Sequence, residues 1–338
     1  MSKQNASYQE FADMVQAELQ TSTQFWEPQY ARYAQELTRK KHQISIARKS
    51  FRVLEPLSCY ITIGEVTAGS QTAFDLRFLG QSVGSVVVKA NGRRVLRVSK
   101  EKAGNSKKYF QYPLGAIADD DWSSGRLAQQ FRSFYRTLSG QQNIFPRQRE
   151  HMVESALFSE LEKNCGTEKT LNFIQPVTYI AHTRFHMKTA LAASRAPADT
   201  AHCSASGGEI DIFCRFRHGN RSRLTVIEVK DENNSGETFS LAIKQAIAYA
   251  VFIRELARSE SGPLWMNLWG MGNQPWAGGF TINAVAAMPK GSTTDFSFTK
   301  QTIHLGQDHI ELHYMAFSEN EKPCNSTEVR FETSLSSC

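Results

Sequence analysis

The spacing of hydrophobic residues divides the chain into stretches with different predicted structure. Near the N-terminus, Phe11, Met14, Val15 and Leu19 recur at the three- and four-residue intervals that place side chains on one face of a helix. A second helical pattern follows, carried by Phe25, Trp26, Tyr30, Tyr33 and Leu37. The sequence therefore predicts that most of residues 1–50 are helical.

Strand-like patterns replace the helical spacing between residues 51 and 115. Four short segments are rich in β-branched and aromatic residues, namely 60–66, 74–79, 82–89 and 94–98. Such segments, separated by glycine, are typical of β-strands. Asn91 and Gly92 stand between the last two and are a strong signal for a tight hairpin turn. We therefore predict a small antiparallel sheet in this region.

Basic residues are concentrated in and after this predicted sheet: Arg93, Arg94, Arg97, Lys100, Lys102, Lys107 and Lys108. Tyr109, Phe110 and Tyr112 are close to them in the sequence. Stacking of bases on aromatic rings and release of counterions by the cations would both favour nucleic acid binding here. An ordinary basic hairpin whose aromatic residues lie in a core is an equal alternative, and the sequence leaves both open.

The polar segment 139–146 contains glycine and proline and is the best candidate for a domain boundary. It would separate an N-terminal helical and β module, residues 1–146, from a second domain, residues 147–318. We expect the module to serve recognition or regulation. Residues 319–338 are predicted to be a polar C-terminal tail. The acids at 119–121 precede a predicted helix, so we expect them to cap it rather than to bind metal.

Two predicted strands in the second domain carry charged residues among apolar ones. The strand 209–216 contains Asp211, and the strand 224–229 leads to Glu228 and Lys230. A short polar turn joins the strands, so antiparallel pairing would bring Asp211 near Glu228. Because alternate residues of a strand share a face, Glu228 and Lys230 would project to the same side. Burying these charges is costly unless something compensates them.

A predicted helix at 239–256 follows and places Gln245 and Tyr249 one turn apart on one face. A divalent metal together with a substrate phosphate would compensate the charges on the preceding strands. Carboxylate oxygens are the ligands that Mg²⁺ and Mn²⁺ prefer. The sequence therefore predicts a metal site, in which the metal would activate water and neutralise charge on phosphorus.

This order of residues resembles the PD-(D/E)XK nuclease superfamily, in particular its RecB-like branch. An Asp is followed by Glu-Val-Lys on the next strand and then by Gln-x-x-x-Tyr on a helix. The resemblance covers roughly residues 147–290 and implies an α/β restriction-endonuclease-like fold, in which helices flank a mixed central sheet. Ile210 stands where the family motif has a proline, which members of the family often lack.

The resemblance also implies a role for individual residues. Asp211, Glu228 and the backbone carbonyl of Val229 would bind the metal, and Lys230 would act at the attacking water. Gln245 and Tyr249 would shape the site and contact substrate.

The family usually has another glutamate on an upstream helix. Glu154, in a predicted helix at 147–162, occupies the matching place in the register. Glu150, Glu160 and Glu162 are alternatives for a catalytic role.

Composition narrows the compartment and the partners. The 338-residue chain carries a net charge of +6, which is compatible with a polyanionic partner. Six scattered cysteines without a C-x-x-C pattern are expected to be reduced thiols. No apolar run reaches the roughly 18 residues of a membrane span, and the N-terminus has no apolar signal core. We expect a cytoplasmic protein with no membrane partner.

The expected function is therefore Mg²⁺- or Mn²⁺-dependent hydrolysis of phosphodiester bonds, with DNA as the substrate. The resemblance makes bacterial restriction or anti-phage defence a plausible setting, with a homodimer or a multi-subunit system as the assembly. The first alternative is a nucleic-acid-binding or scaffold subunit that keeps the fold and needs a partner for cleavage. The second alternative is a nuclease that acts on RNA.

Overall fold

A computed structural model describes residues 7–46, 56–63, 71–140, 149–164, 173–180, 183–193, 202–218, 221–230, 239–273, 278–292, 297–320 and 328–335. The α-helices in these ranges are α1 (Tyr8–Thr21), α2 (Thr23–Ile46), α3 (Lys100–Phe110), α4 (Arg126–Ser139), α5 (Arg149–Asn164), α6 (Phe239–Arg258) and α7 (Gly262–Leu268). The strands are β1 (Ser58–Thr62), β2 (Thr72–Phe78), β3 (Gln81–Val88), β4 (Arg94–Val98), β5 (Ile117–Asp121), β6 (Ile174–Pro176), β7 (Thr183–His186), β8 (Lys188–Ala192), β9 (His202–Glu209), β10 (Ile212–His218), β11 (Arg221–Val229), β12 (Thr281–Pro289), β13 (Thr302–Leu305), β14 (Asp308–Asn320) and β15 (Glu328–Thr333).

The larger sheet is mixed and lies between helices. Its strand order is β13-β14-β12-β11-β10-β6, and β15 pairs with β14. Strands β11, β12 and β14 are parallel, whereas β10 and β13 pair with their neighbours in antiparallel fashion. The central strand β12 has seven consecutive buried residues, as expected for a parallel strand covered on both faces. The fold is therefore α/β.

Two helices cover opposite faces of this sheet. Helix α6 packs on the face that includes Leu224 and Val226 of β11. Helix α5 covers the other face, where its Leu157 lies in one apolar cluster with Ile227 and Val229. Because successive residues of β11, such as Val226 and Ile227, belong to different clusters, the two-residue period predicted for this strand is present in the structure.

The smaller sheet has the strand order β5-β4-β3-β2-β1-β7, and β8 and β9 form a separate pair. Its strands β1 to β5 are antiparallel; β1 to β4 overlap the four segments that the sequence predicts, whereas β5 was not predicted. Strand β7 is different, because it lies beyond residue 146 and pairs in parallel with β1, with Arg184 opposite Tyr60. Helix α1 also packs on α6. The ring centroids of Trp26 in α2 and Phe252 in α6 are 5.6 Å apart. The division at residue 146 stays a prediction, and contacts among the described residues cross it.

Strand and helix positions also differ from the sequence prediction elsewhere in the chain. The strand predicted at 209–216 is broken, because Ile210 and Asp211 lie between β9 and β10. Helix α3 was not predicted, although Ser99 caps it by accepting a hydrogen bond from the backbone of Lys102 at 3.1 Å. The segment predicted as a polar tail contributes β15, because its residues pair with the exposed edge of β14.

Several basic and acidic residues of the smaller sheet have structural roles. Phe110 and Tyr112 are buried in the core, so two of the three aromatic residues considered for base stacking pack internally. Arg97 pairs with Asp119, and the backbone of Ala128 in α4 donates a hydrogen bond to Asp120 at 2.7 Å. Arg97 and Asp120 therefore have structural partners within this region. Among the described helices, none is long and apolar enough to cross a membrane.

Candidate active site

Asp211 reaches the end of β11 through the pairing of β10 with β11. Ile212 lies opposite Ile227, so Asp211 and Glu228 occupy the next position of the pairing. The backbone N–H of Val229 donates a hydrogen bond of 2.8 Å to Oδ2 of Asp211. The break between β9 and β10 therefore leaves the Asp211 side chain bound to the backbone of the neighbouring strand.

Lys230 lies beside two carboxylates. Its Nζ atom is 2.9 Å from Oε1 of Glu228 and 3.3 Å from Oε1 of Glu150 in α5. Glu228 is 3% exposed and Lys230 is 5% exposed. The backbone N–H of Lys230 donates to the carbonyl of Ala287, which holds this end of β11 against β12. The structure thus brings Asp211, Glu228 and Lys230 together, as the sequence predicts.

Burial and neighbouring charges shift the pKa values of Asp211 and Lys230. Burial raises the pKa of Asp211 well above its usual value, and the negative charges of Glu228 and Glu154 raise it further. Burial lowers the pKa of Lys230, but attraction by Glu228, Asp211 and Glu150 outweighs this effect, and the net pKa is raised. Lys230 is therefore an ammonium ion within a cluster of carboxyl groups that repel one another.

Glu154 is buried on α5 and takes part in this cluster. Its Oε2 atom is 3.3 Å from Nδ1 of His151, one turn earlier on the same helix. This hydrogen bond raises the pKa of His151 above its usual value. Of the alternatives to Glu154, Glu150 contacts Lys230, and Glu162 instead pairs with Arg184 at 2.9 Å.

Gln245 and Tyr249 are both buried on α6. A Cβ atom added to Gly208 would lie 2.4 Å from the hydroxyl oxygen of Tyr249, so the β9 backbone passes directly against this side chain. Burial raises the pKa of Tyr249, and the charges of Glu228 and Asp211 add to the effect. Oε1 of Gln245 is buried and has no hydrogen-bond partner among the residues that the structure describes.

The donor set can be compared with the preferences of a divalent cation. Asp211, Glu228 and the carbonyl of Val229 are hard oxygen donors of the type that Mg²⁺ and Mn²⁺ take, usually with water and phosphate oxygens. Burial and, after it, the negative charges of Glu228 and Glu154 raise the pKa of Asp211, and a bound cation would stabilise its ionised form. Within the described ranges, no group of three or more His, Cys, Asp or Glu side chains is arranged so that it could hold a metal ion. The fit therefore depends on backbone, water or substrate oxygens.

Two residues near the site were not identified from the sequence. His151 is half exposed, and its ring contacts Glu154. Arg77, from β2 of the smaller sheet, interacts electrostatically with Glu154 and His151. The position of His151 one turn before Glu154 was a local signal for the first residue. Nothing in the sequence connects Arg77 with α5, because this electrostatic interaction joins segments that are far apart in the chain.

Comparison of the chain with protein-family models, curated proteins and solved structures found no match.

Proposed function

We propose that this protein is a metal-dependent nuclease that hydrolyses phosphodiester bonds of DNA. The observation that carries the proposal is the cluster of Asp211, Glu228 and Lys230 at the end of β11. Two acids supply oxygen ligands, and the ammonium supplies a positive charge beside them. When bound, Mg²⁺ or Mn²⁺ would activate a water molecule and neutralise charge on the phosphate.

The surrounding residues have distinct proposed tasks. Lys230 stabilises the negative charge of the transition state or orients the attacking water, and Glu150 and Glu228 keep it protonated. Glu154 adds negative charge beside Asp211 and strengthens the attraction for a cation. Gln245 and Tyr249 form the side of the candidate site that α6 contributes.

A non-catalytic nucleic-acid-binding subunit is the second candidate, and one observation favours it. Lys230 and Glu228 are close enough to neutralise each other, and both are almost fully buried. In such a subunit the pair would be a structural ion pair, and cleavage would need a partner protein.

Cleavage assays with matched variants distinguish these candidates. Purified protein is incubated with supercoiled plasmid, linear duplex, single-stranded DNA and RNA, each with Mg²⁺, Mn²⁺ or EDTA. We expect cleavage of DNA that requires metal, and a loss of about 100- to 1,000-fold in Lys230→Ala. Glu228→Ala should be equally impaired. The control is Glu311→Gln, which changes a carboxylate of the same sheet that pairs with Arg223 instead.

Each outcome leads to a different conclusion. Absence of cleavage with every substrate would favour the binding subunit, and cleavage of RNA alone would replace DNA as the substrate. Cleavage that persists in Lys230→Ala and Glu228→Ala would mean that the activity arises elsewhere. Circular dichroism and urea unfolding of each variant would exclude loss of folding as the cause of inactivity.

A further inference from the structure

The turn between β2 and β3 places a leucine in the left-handed region of backbone conformation. Phe78 pairs with Gln81, so the turn has two central residues, Leu79 and Gly80. Both have positive φ, at 48° and 78° respectively. Glycine adopts this conformation freely, but a leucine there costs about 1–2 kcal/mol. The hairpin itself favours positive φ at both central residues, so the cost is confined to Leu79.

This turn packs against the first turn of α5. A Cβ atom added to Gly80 would lie 2.1 Å from the carbonyl oxygen of His151. The contact therefore joins two backbones, and a flexible side chain could not relieve it. The same turn of α5 carries Glu150, which contacts Lys230, and is followed by Glu154 beside Asp211.

Arg77 precedes this turn and adds a positive charge that acts on α5 electrostatically. Its Nε atom is 2.9 Å from Asp75, and its Nη2 atom is 3.3 Å from Nδ1 of His186. The guanidinium also lies over the ring of Tyr60, 4.5 Å from its centroid. Arg77 is thus held on three sides, and its charge attracts Glu154 of α5.

We propose that the β2–β3 turn and Arg77 set the position of the first turn of α5, which makes Gly80 and Arg77 positioning residues of the candidate site. The inference rests on the proposed nuclease function for its catalytic consequence. The N-terminal region would then build the site as well as serve any recognition. A displacement of about 1 Å at reacting groups can reduce a rate about 100-fold, so a small shift of α5 is sufficient to matter.

Two glycine substitutions provide a matched test. Gly80→Ala places a Cβ against the His151 carbonyl. Gly92→Ala is the control, because Gly92 lies in a hairpin turn of the same sheet at φ 77°, and nothing lies within 4 Å of its added Cβ. Both variants force alanine into the left-handed region, which costs each about 1–2 kcal/mol. Only Gly80→Ala displaces α5.

Steady-state kinetics supply the first measurement. We expect Gly80→Ala to lower kcat by about 10- to 100-fold with little change in KM, and Gly92→Ala to stay within about twofold of the wild type. Equal kcat values for the two variants, at equal resistance to urea, would overturn the proposal. A purely structural role for the turn would change resistance to urea without this selective loss of kcat.

A second measurement does not depend on activity. The His151 imidazole is titrated by NMR in selectively labelled protein and assigned with His151→Gln. Its ring faces Glu154 and Glu150 of its own helix, which raise its pKa, and Arg77 of β2, which lowers it. His186 of β7 also interacts with it electrostatically. Movement of α5 away from β2 should raise the pKa of His151 in Gly80→Ala, whereas Gly92→Ala should leave it unchanged.

Arg77→Gln tests the inference if Gly80→Ala does not fold. It removes the cation and keeps polar atoms, so we expect a lower kcat and a raised pKa of His151. Arg77→Lys should recover part of the lost kcat and bring the pKa of His151 part of the way back to its wild-type value. An unchanged pKa of His151 in Arg77→Gln would refute the electrostatic interaction between Arg77 and the first turn of α5. A wild type that cleaves nothing would defeat the proposed function alone, because the titration would still decide whether the turn positions α5.

Discussion

Asp211→Asn should inactivate the protein and also stabilise its fold. Asp211 belongs to a group of three acids, and both its burial and the charges of Glu228 and Glu154 raise its pKa. An ionised carboxylate in such a place opposes folding. Asparagine removes the charge but keeps an oxygen that can accept the hydrogen bond from the backbone of Val229.

The sign of the pH dependence follows from the raised pKa. Above the unfolded value of about 3.9, and up to the raised pKa of the folded state, the folded protein binds more protons at Asp211 than the unfolded protein. The contribution of Asp211 to the free energy of unfolding therefore falls as pH rises through this window. Asp211→Asn lacks this decrease. The stability difference between the variant and the wild type should grow with pH across the window and then remain constant.

The expected magnitude is set by opposing contributions. Repulsion by Glu228 and Glu154 raises the cost of ionising Asp211, while Lys230 and the Val229 N–H reduce it. Each unit by which the pKa remains raised corresponds to about 1.4 kcal/mol. We expect a gain of about 0.5–2 kcal/mol at neutral pH, the usual range for a stabilising single substitution. Asp211→Ala should gain less, because the Val229 N–H loses its acceptor, at a cost of about 1–3 kcal/mol.

Urea unfolding between pH 4 and 8, at constant ionic strength in EDTA, measures this effect. Asp121→Asn is the control: hydrogen bonds from the backbone and side chain of Ser124 lower the pKa of Asp121, so the same substitution there should destabilise. Added Mg²⁺ should then stabilise the wild type by about 2.7 kcal/mol at 100 times Kd, and Asp211→Asn far less. The argument fails if Asp211→Asn is no more stable than the wild type in EDTA. Equal stabilisation of both proteins by Mg²⁺ would place the cation away from Asp211.

Two further substitutions test buried charges. Lys230→Met should lower the free energy of unfolding by about 3–5 kcal/mol, because the buried carboxylate of Glu228 loses its ammonium neighbour. Adding Glu228→Gln should restore much of the lost stability, measured by urea unfolding, without restoring cleavage. Asp308 is buried and pairs with Arg254 and Arg258. Burial raises its pKa, but hydrogen bonds from these arginines and the backbone outweigh this effect and lower it. Asp308→Asn should therefore cost about 3–5 kcal/mol at neutral pH, and the deficit measured by urea unfolding should shrink as pH falls below about 4.

Local patterns were sufficient to predict strand β11 and helix α6, which carry much of the candidate site. The alternation in β11 places Glu228 and Lys230 on one face, and the short polar turn before it requires an antiparallel partner. The helix predicted at 239–256 is α6, which extends to Arg258. These features depend on neighbouring residues in the sequence, so the period of the apolar positions contains the necessary information.

The break at Asp211 depends on contacts that the sequence does not display. Gly207 has a positive φ of 57°, and a Cβ added to it would lie 1.8 Å from the carbonyl oxygen of Thr189. A Cβ added to Gly208 would lie 2.4 Å from the hydroxyl oxygen of Tyr249. Two adjacent glycines indicate that the backbone is approached closely, but not which residues approach it. The strand was therefore predicted to continue through Asp211, whereas β9 ends at Glu209 and β10 begins at Ile212.

The contacts that cross residue 146 show why a composition-based boundary carries limited information. Glycine, proline and polar residues are typical of surface segments in general, and this property is local. Whether the flanking regions share a core depends on pairings such as Tyr60 with Arg184, between strands whose residues also suit other partners. The Gly80 contact with His151 is of the same kind, because a single hydrogen atom in place of a side chain permits it. The role of the N-terminal region in the candidate site is therefore a property of the folded chain, which no pattern within either region could reveal.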